Sequence, residues 1–360
     1  MGRRFTIYNC HIHTFKKEDV PRRFVKFWLV ALLGTSVGYS AVSWVLRRMN
    51  FLSRENKFQK YLKFVDTGKL PSQEAIFLQC AAQYPKGTKF FVHAIDMEFM
   101  NAGRIPRAYK GQLEELEDLQ KKYPEEVLPF IHIDPRREGA LELFKEALEK
   151  GFRGLKLYPP MGHAANDERL DPFYVYCNQN KIPVLVHCGP QSPTHYRASK
   201  KKVWKMLDEA GISYDRRQSV MELCAAFGHP GYYIPILEKY PGLHICFAHW
   251  GSEISWENYI KNPLNQENWF YHIKHMLQKY PGLYTDISFT LNNREFFPVL
   301  KVFLQNPKIR EKVLFGSDYY MVETRTAEKK FGFDLRAFLG EALFKTIAHD
   351  NPVKFLHGKP

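Results

Sequence analysis

No CxxC pair occurs among the six cysteines, Cys10, Cys80, Cys177, Cys188, Cys224 and Cys246, so no spacing points to a disulfide framework. Cys10, Cys188 and Cys246 fall inside apolar, strand-like runs, which fits buried free thiols in a reducing compartment. No low-complexity tract or repeat breaks the chain. No recognisable nucleic-acid module accompanies the net charge of +14 and pI of about 9.3, so a nucleic-acid partner is not expected. Acidic residues are scarce at one end only. Residues 1–63 carry 13 Lys/Arg against 3 Asp/Glu, a local charge of +10 that leaves +4 for the rest. A secretory signal is not expected, because a strand and its histidines occupy the N-terminus, and the expected location is cytoplasmic.

What is present suits a large packed core: 360 residues, 45% hydrophobic and 15% aromatic, a size that α/β barrels reach as one domain. The run Phe5-Thr6-Ile7-Tyr8 reads as a strand leading into Asn9-Cys10-His11-Ile12-His13-Thr14. Side chains alternate along a strand, so His11 and His13 point the same way and form a pair able to grip a divalent ion.

From Gln83 onward, apolar runs alternate with amphipathic stretches. Strands are predicted over 89–96, 127–134, 152–158, 182–187, 244–249, 283–288 and 313–318. Helices are predicted over 110–123, 139–150, 171–180, 233–239, 269–279 and 295–304. With the N-terminal strand this makes eight β/α units and predicts an α/β fold, a (β/α)₈ TIM barrel spanning residues 1–360. Two segments interrupt it. Residues 20–64 form a hydrophobic, basic, helical insertion after strand 1, with an uncharged stretch from Phe27 to Leu46 flanked by basic residues and holding two tryptophans. A buried helix, an interfacial helix or hairpin on a membrane, and a true span all remain open for it. Residues 191–228 form a second insertion, after strand 5.

The ligand-type residues gather at strand carboxyl ends, where barrel active sites form. His11 and His13 end the first strand, Lys156 the fourth, His187 the fifth, His249 the sixth and Asp318 the eighth. Singly, each has an ordinary structural role open to it, such as a satisfied core histidine, a helix cap or a lysine extending from the barrel mouth. Together they predict one site. Tyr158, His163, His195 and Trp250 follow these strands and are candidates to face substrate. His93 and His132 lie inside strands and read as core groups, and His229-Pro230-Gly231 reads as a structural helix approach. His272, His275, His349 and His357 carry no signal.

The motifs Cys10-His11-Ile12-His13, Gly154-Leu155-Lys156-Leu157-Tyr158-Pro159-Pro160, Val186-His187-Cys188-Gly189, Ala248-His249-Trp250-Gly251 and Phe315-Gly316-Ser317-Asp318 occur in that order. As a set the sequence resembles the amidohydrolase superfamily, in its amidohydrolase-2 branch with the aminocarboxymuconate semialdehyde decarboxylase-like enzymes. The resemblance implies that His11, His13, His187 and Asp318 hold a metal, with Zn²⁺ suited to the mixed nitrogen and oxygen shell. It further implies that His249 acts as general base or polarises a carbonyl, and that Asp318 relays a proton. Lys156 separates two versions of the site. Carboxylated, it would bridge two metals; uncarboxylated, beside the single metal that is the expected count, it would offer a cation to a substrate carboxylate.

The expected function is a metal-dependent hydrolase cleaving a C–N or C–O bond of a small molecule with metal-activated water. The alternatives are a non-oxidative decarboxylase of an aromatic or unsaturated carboxylic acid, favoured if Lys156 or Arg197 reaches the substrate, and a membrane-surface binding protein on an inactive barrel. The expected partners are the small-molecule substrate and a membrane touched peripherally through 20–64, with a homo-oligomer left open.

Overall fold

Parallel strands in chain order need a crossover between each pair, and helices supply it. The computed structural model describes residues 5–24 and 66–358. Its strands are β1 Tyr8–His13, β2 Lys89–His93, β3 Val127–His132, β4 Gly154–Leu157, β5 Val184–Val186, β6 Ile245–Phe247, β7 Leu283–Asp286 and β8 Val313–Leu314. Each pairs in parallel with the next in one eight-stranded sheet. The last approaches the first through the Cys10 N–H to Phe315 carbonyl bond (2.8 Å) and the Asp318 N–H to His11 carbonyl bond (2.7 Å). This is the eightfold TIM-barrel architecture that the alternation predicts.

Most strands end short of the predicted limits, because the chain leaves the ladder at the barrel rim. Asp96, Asp134, His187, His249 and Asp318 therefore stand just past their strands, in the loops that carry barrel chemistry. The helices Asp171–Asn180 and Trp269–Lys279 begin and end where the sequence pattern places them. The helices Gln73–Ala81, Ser252–Lys261 and Glu328–Leu339 lie beyond those the pattern predicts. Within 191–228 the chain forms the helices Lys200–Glu209 and Val220–Ala225, which enclose a small core of their own around Val203, Leu207, Leu223 and Phe227. Most of the first predicted insertion, and the whole uncharged stretch with its membrane readings, lies outside the described residues. Among the described residues no helix is long and apolar enough to cross a membrane.

The barrel interior is apolar at its N-terminal end. Tyr8, Cys10, Phe91, Phe130, Leu185, Cys246, Tyr284 and Leu314 fill it, and Phe355 of the C-terminal helix Asn351–His357 packs beneath them as a floor. Phe91 stacks on Phe130 at 5.1 Å between centroids, and Phe355 lies 5.1 Å from Tyr284. Gly154 makes the stack fit: a Cβ there would sit 2.2 Å from a Phe130 ring carbon. With the lower end sealed, the polar side chains collect at the carboxyl ends of the strands.

Candidate active site

Simple alternation would send Cys10 and His11 to opposite faces, yet both face the barrel interior. The β1–β2 register slips between Asn9 and Ile12, and this bulge re-aims the strand so that Tyr8 and Cys10 fill the floor while His11 and His13 enter the polar layer. Asn9 fastens the bulge from outside. Its Oδ1 accepts the Ser317 N–H (3.0 Å), and its Nδ2 donates to Ser317 Oγ (2.8 Å) and to Tyr84 (3.0 Å). β1 is thereby tied to the loop that carries Asp318. Gly316 permits this closeness, since a Cβ there would meet the His11 Cβ at 3.0 Å.

Hydrogen bonds set the protonation pattern of the imidazoles. A carboxylate and a carbonyl can only accept, so the nitrogen facing each must carry the proton. His11 Nδ1–H donates to Asp286 Oδ2 (2.9 Å), His13 Nδ1–H to the His93 carbonyl (2.9 Å), and His249 Nδ1–H to the Ser288 carbonyl (3.1 Å). Burial holds all three imidazoles below their ordinary value, His13 at about 3, so they are neutral and each Nε2 is unprotonated, that of His11 lying 3.4 Å from Lys156 Nζ. The Nε2 atoms of His11 and His13 face each other at 3.3 Å. Two lone pairs at that distance repel unless a cation lies between them. His187, whose pKa is likewise lowered by burial, has a buried Nε2 without a hydrogen-bond partner. Asp318 Oδ1 completes the group 3.7 Å from His13 Nε2. Nitrogen lone pairs converging with a carboxylate oxygen fit a divalent ion of Zn²⁺ or Mn²⁺ type.

The remaining pieces support this set. Asp286, fully buried at the end of β7, accepts from His11 on one oxygen and from the backbone N–H groups of His249 (2.9 Å) and Ser288 (3.0 Å) on the other. His11, His249 and Asp286 also lie close enough together to form a second cluster of ligand atoms, but the Nδ1 atoms of both histidines are already committed to Asp286 and the Ser288 carbonyl, so we read this side as the support that fixes the tautomers. Lys156 is wholly buried, with Nζ 3.4 Å from His11 Nε2, and burial lowers its pKa to about 8. Burial likewise pushes Asp318 up, against the pull of Lys156. The backbone is strained around these groups: His249 (φ 65°), Phe289 (φ 58°), Asp318 (φ 60°) and Tyr320 (φ 85°) all occupy the left-handed region.

The structure brings His11, His13, Lys156, His187, His249 and Asp318 together. Tyr158 joins them, its ring stacked on His187 at 4.2 Å and its hydroxyl 3.1 Å from Ser192 Oγ. His195 stands one step further out, with Nδ1 2.8 Å from the Ser192 carbonyl. Trp250 is not brought to the group: it is fully buried and stacks on Phe270 at 5.0 Å, in the helix layer. His163 is buried near Asp134, with no hydrogen-bond partner for either ring nitrogen. Sequence reasoning missed Asp286, Ser288 and the part played by the His93 carbonyl. Asp286 was within reach, being an acid at a strand end like Asp318; the carbonyl carries no sequence signal.

Barrel, floor and polar rim define a (β/α)₈ enzyme with an imidazole–carboxylate centre. The family model described as Amidohydrolase matches residues 83–358, and the chain belongs to the amidohydrolase family, a metal-dependent enzyme family. The match begins after β1, so the place of His11 and His13 rests on the geometry. No curated protein matches. Among solved structures, an uncharacterised TIM-barrel protein from Bordetella bronchiseptica is 15% identical with a TM-score of 0.58, covering 98% of each chain. A 5-carboxyvanillate decarboxylase from Novosphingobium aromaticivorans, solved with manganese, is 15% identical with a TM-score of 0.58, covering 98% of this chain and 97% of that one. A probable 2-pyrone-4,6-dicarboxylic acid hydrolase from Acinetobacter baumannii is 10% identical with a TM-score of 0.55, covering 98% and 99%. These similarities establish the fold.

Proposed function

We propose that the protein is a metal-dependent hydrolase of a small molecule, with one divalent ion, zinc being the best suited, held by His11, His13, His187 and Asp318. The observation that carries this reading is the facing pair of bare Nε2 atoms on His11 and His13. A divalent ion held there would polarise the scissile carbonyl and acidify a water. The chain's own groups then have distinct tasks. His249, held at Nδ1 by Ser288, keeps Nε2 available to take a proton from the attacking water. The proton His249 takes is the one the leaving atom needs, and Asp318, beside the same centre, can relay it there. Asp286 holds His11 in the tautomer that leaves Nε2 bare, and the Tyr158 ring fixes His187 from its flank.

A second reading, non-oxidative decarboxylation of a carboxylic acid on the same centre, is favoured by one observation: the Lys156 cation is buried beside His11 with no carboxylate among the described residues bonded to it. The experiment has two parts. Metal content per chain is measured on protein purified without chelators, for wild type, His187→Ala and Lys156→Ala. One metal in wild type, retained in Lys156→Ala and lost in His187→Ala, supports the site; two metals that fall in Lys156→Ala would mean a carboxylated bridge. Turnover in ¹⁸O-labelled water then separates the reactions, since hydrolysis places the label in an organic product, whereas decarboxylation releases CO₂ and leaves the organic product unlabelled. Absence of stoichiometric metal from the wild type would overturn both.

A further inference from the structure

A cavity of about 590 Å³ lies between the second insertion and the helices that follow β6. Its volume is that of a site for a small molecule. Tyr214, Asp215 and Glu222 of the insertion stand on one side, and Ser255, Glu267 and Trp269 on the other. None of the residues gathered at the metal centre lines it. Both sides are braced. The Tyr232 hydroxyl accepts the Ser213 N–H (3.1 Å), and Asn268 Nδ2 donates to the Ser255 carbonyl (3.0 Å). In a chain of net charge +14, this lining holds three carboxylates and, among the described residues, no lysine or arginine. Asp215 is answered from outside by Arg217 (2.6 Å). Glu222 and Glu267 form no ion pair among the described residues. Glu222 accepts the Ser219 N–H (2.8 Å) and hydroxyl (2.7 Å), and these bonds hold its pKa below the ordinary value, so it is charged at neutral pH. His229 adds no opposing charge. Its Nδ1 accepts the Gly231 N–H (3.1 Å), and burial beside His272 lowers its pKa to about 4.

Aromatic rings accompany this charge. Trp269 and Tyr232 pack on His229 at 5.1 and 5.8 Å between centroids, and Tyr214 stacks on Trp204 at 6.5 Å. Rings beside uncompensated carboxylates favour an ammonium group over an anion or a neutral molecule. Ser255 is an independent sign of a ligand. It is only 4% exposed and lines the cavity, yet its hydroxyl has no hydrogen-bond partner among the described residues. We infer that this cavity is a second binding site, separate from the metal centre, and that it takes a small organic cation. Such a ligand is an amine or alkylammonium whose charge is met by Glu222 and Glu267. Its carbon frame rests on the rings of Trp269 and Tyr232, and a polar end reaches the Ser255 hydroxyl. The site stands whichever reaction the metal centre performs.

The test measures binding to the full-length protein, as purified, by calorimetry. Cations are matched with uncharged partners of similar shape: choline with 3,3-dimethylbutan-1-ol, putrescine with 1,4-butanediol, and phenethylamine with 2-phenylethanol. In wild type at least one cation is expected to bind about tenfold or more tightly than its partner, the scale of one hydrogen bond to a charged group. The double variant Glu222→Gln, Glu267→Gln is expected to erase that advantage while metal content and melting temperature stay unchanged. Glutamine at 222 can still close the capping box with Ser219, so the helix keeps its start. If the double variant fails to fold, Glu267→Gln alone, at an exposed position, is the readout and is expected to lower the advantage about threefold or more. Trp269→Ala is expected to weaken the cation about threefold or more through loss of the ring contact. No advantage for any cation in wild type, or an advantage unchanged in the glutamine variants, overturns the site. A cation held as tightly by Trp269→Ala as by wild type overturns it as well, since the ligand then lies elsewhere.

Discussion

Replacing Asp286 by asparagine changes no heavy-atom position and removes one charge, yet it should cost the protein much of its metal affinity. One oxygen of Asp286 accepts the backbone N–H groups of His249 and Ser288 at 2.9 and 3.0 Å, while the other accepts the His11 Nδ1–H at 2.9 Å. An amide has a single oxygen. Two fixed backbone donors claim it, which turns the amide NH₂ toward His11. His11 must then accept at Nδ1 and carry its proton on Nε2, the atom that would face the ion. Loss of a carboxylate that supports a metal-bound histidine costs about 10–100-fold in affinity, or about 1.4–2.8 kcal/mol at 1.4 kcal/mol per decade. Asp286→Asn should reach the upper end of this range, because the support is inverted and not merely absent. Competition with a chromogenic chelator measures the dissociation constant, and thermal melting shows whether the fold persists. A dissociation constant within threefold of wild type, in a folded variant, would refute the tautomer argument.

Other perturbations separate floor from rim. Gly154→Ala should destabilise the fold by about 1–3 kcal/mol or more through overpacking, since its Cβ would sit 2.2 Å from the Phe130 ring; Phe130→Leu in the same chain should restore part of the melting temperature. Phe355→Ala should cost about 3–5 kcal/mol in a denaturant titration, with metal content per folded chain unchanged, because it opens only the sealed end. For the pH profile, burial holds His249 below its ordinary value of 6.5, so the neutral base persists into mild acid. The acidic limb of kcat/KM, where protonation removes the base, should therefore lie below pH 6.5; a limb above that value would exclude His249 as the base.

The fold was legible because its signal is repeated. Each apolar run followed by an amphipathic stretch reports one β/α unit, and all eight strands appear in chain order. The candidate ligand residues stand out for a related reason, as they are polar side chains ending apolar runs. What the pattern does not carry is anything that depends on a third element. The bulge between Asn9 and Ile12 is set by the neighbouring strands, and the His93 carbonyl acts through the backbone. Trp250 shows the converse. It follows β6 closely, but a left-handed turn at His249 and Trp250 swings the indole into the helix layer. Proximity along the chain is no guide once the backbone leaves the allowed alternation.

The six buried thiols have a practical consequence. All are 0% exposed, and burial pushes each one up, Cys224 to about 12, so native protein presents almost no thiolate at neutral pH. To a thiol-specific reagent the folded chain behaves as one without cysteine. A single cysteine introduced at Leu264, which is 85% exposed, would provide one attachment point for a fluorophore or spin label, with no need to remove the natural ones. Each natural cysteine that does react under native conditions would, in turn, time-stamp the opening of its own stretch of barrel.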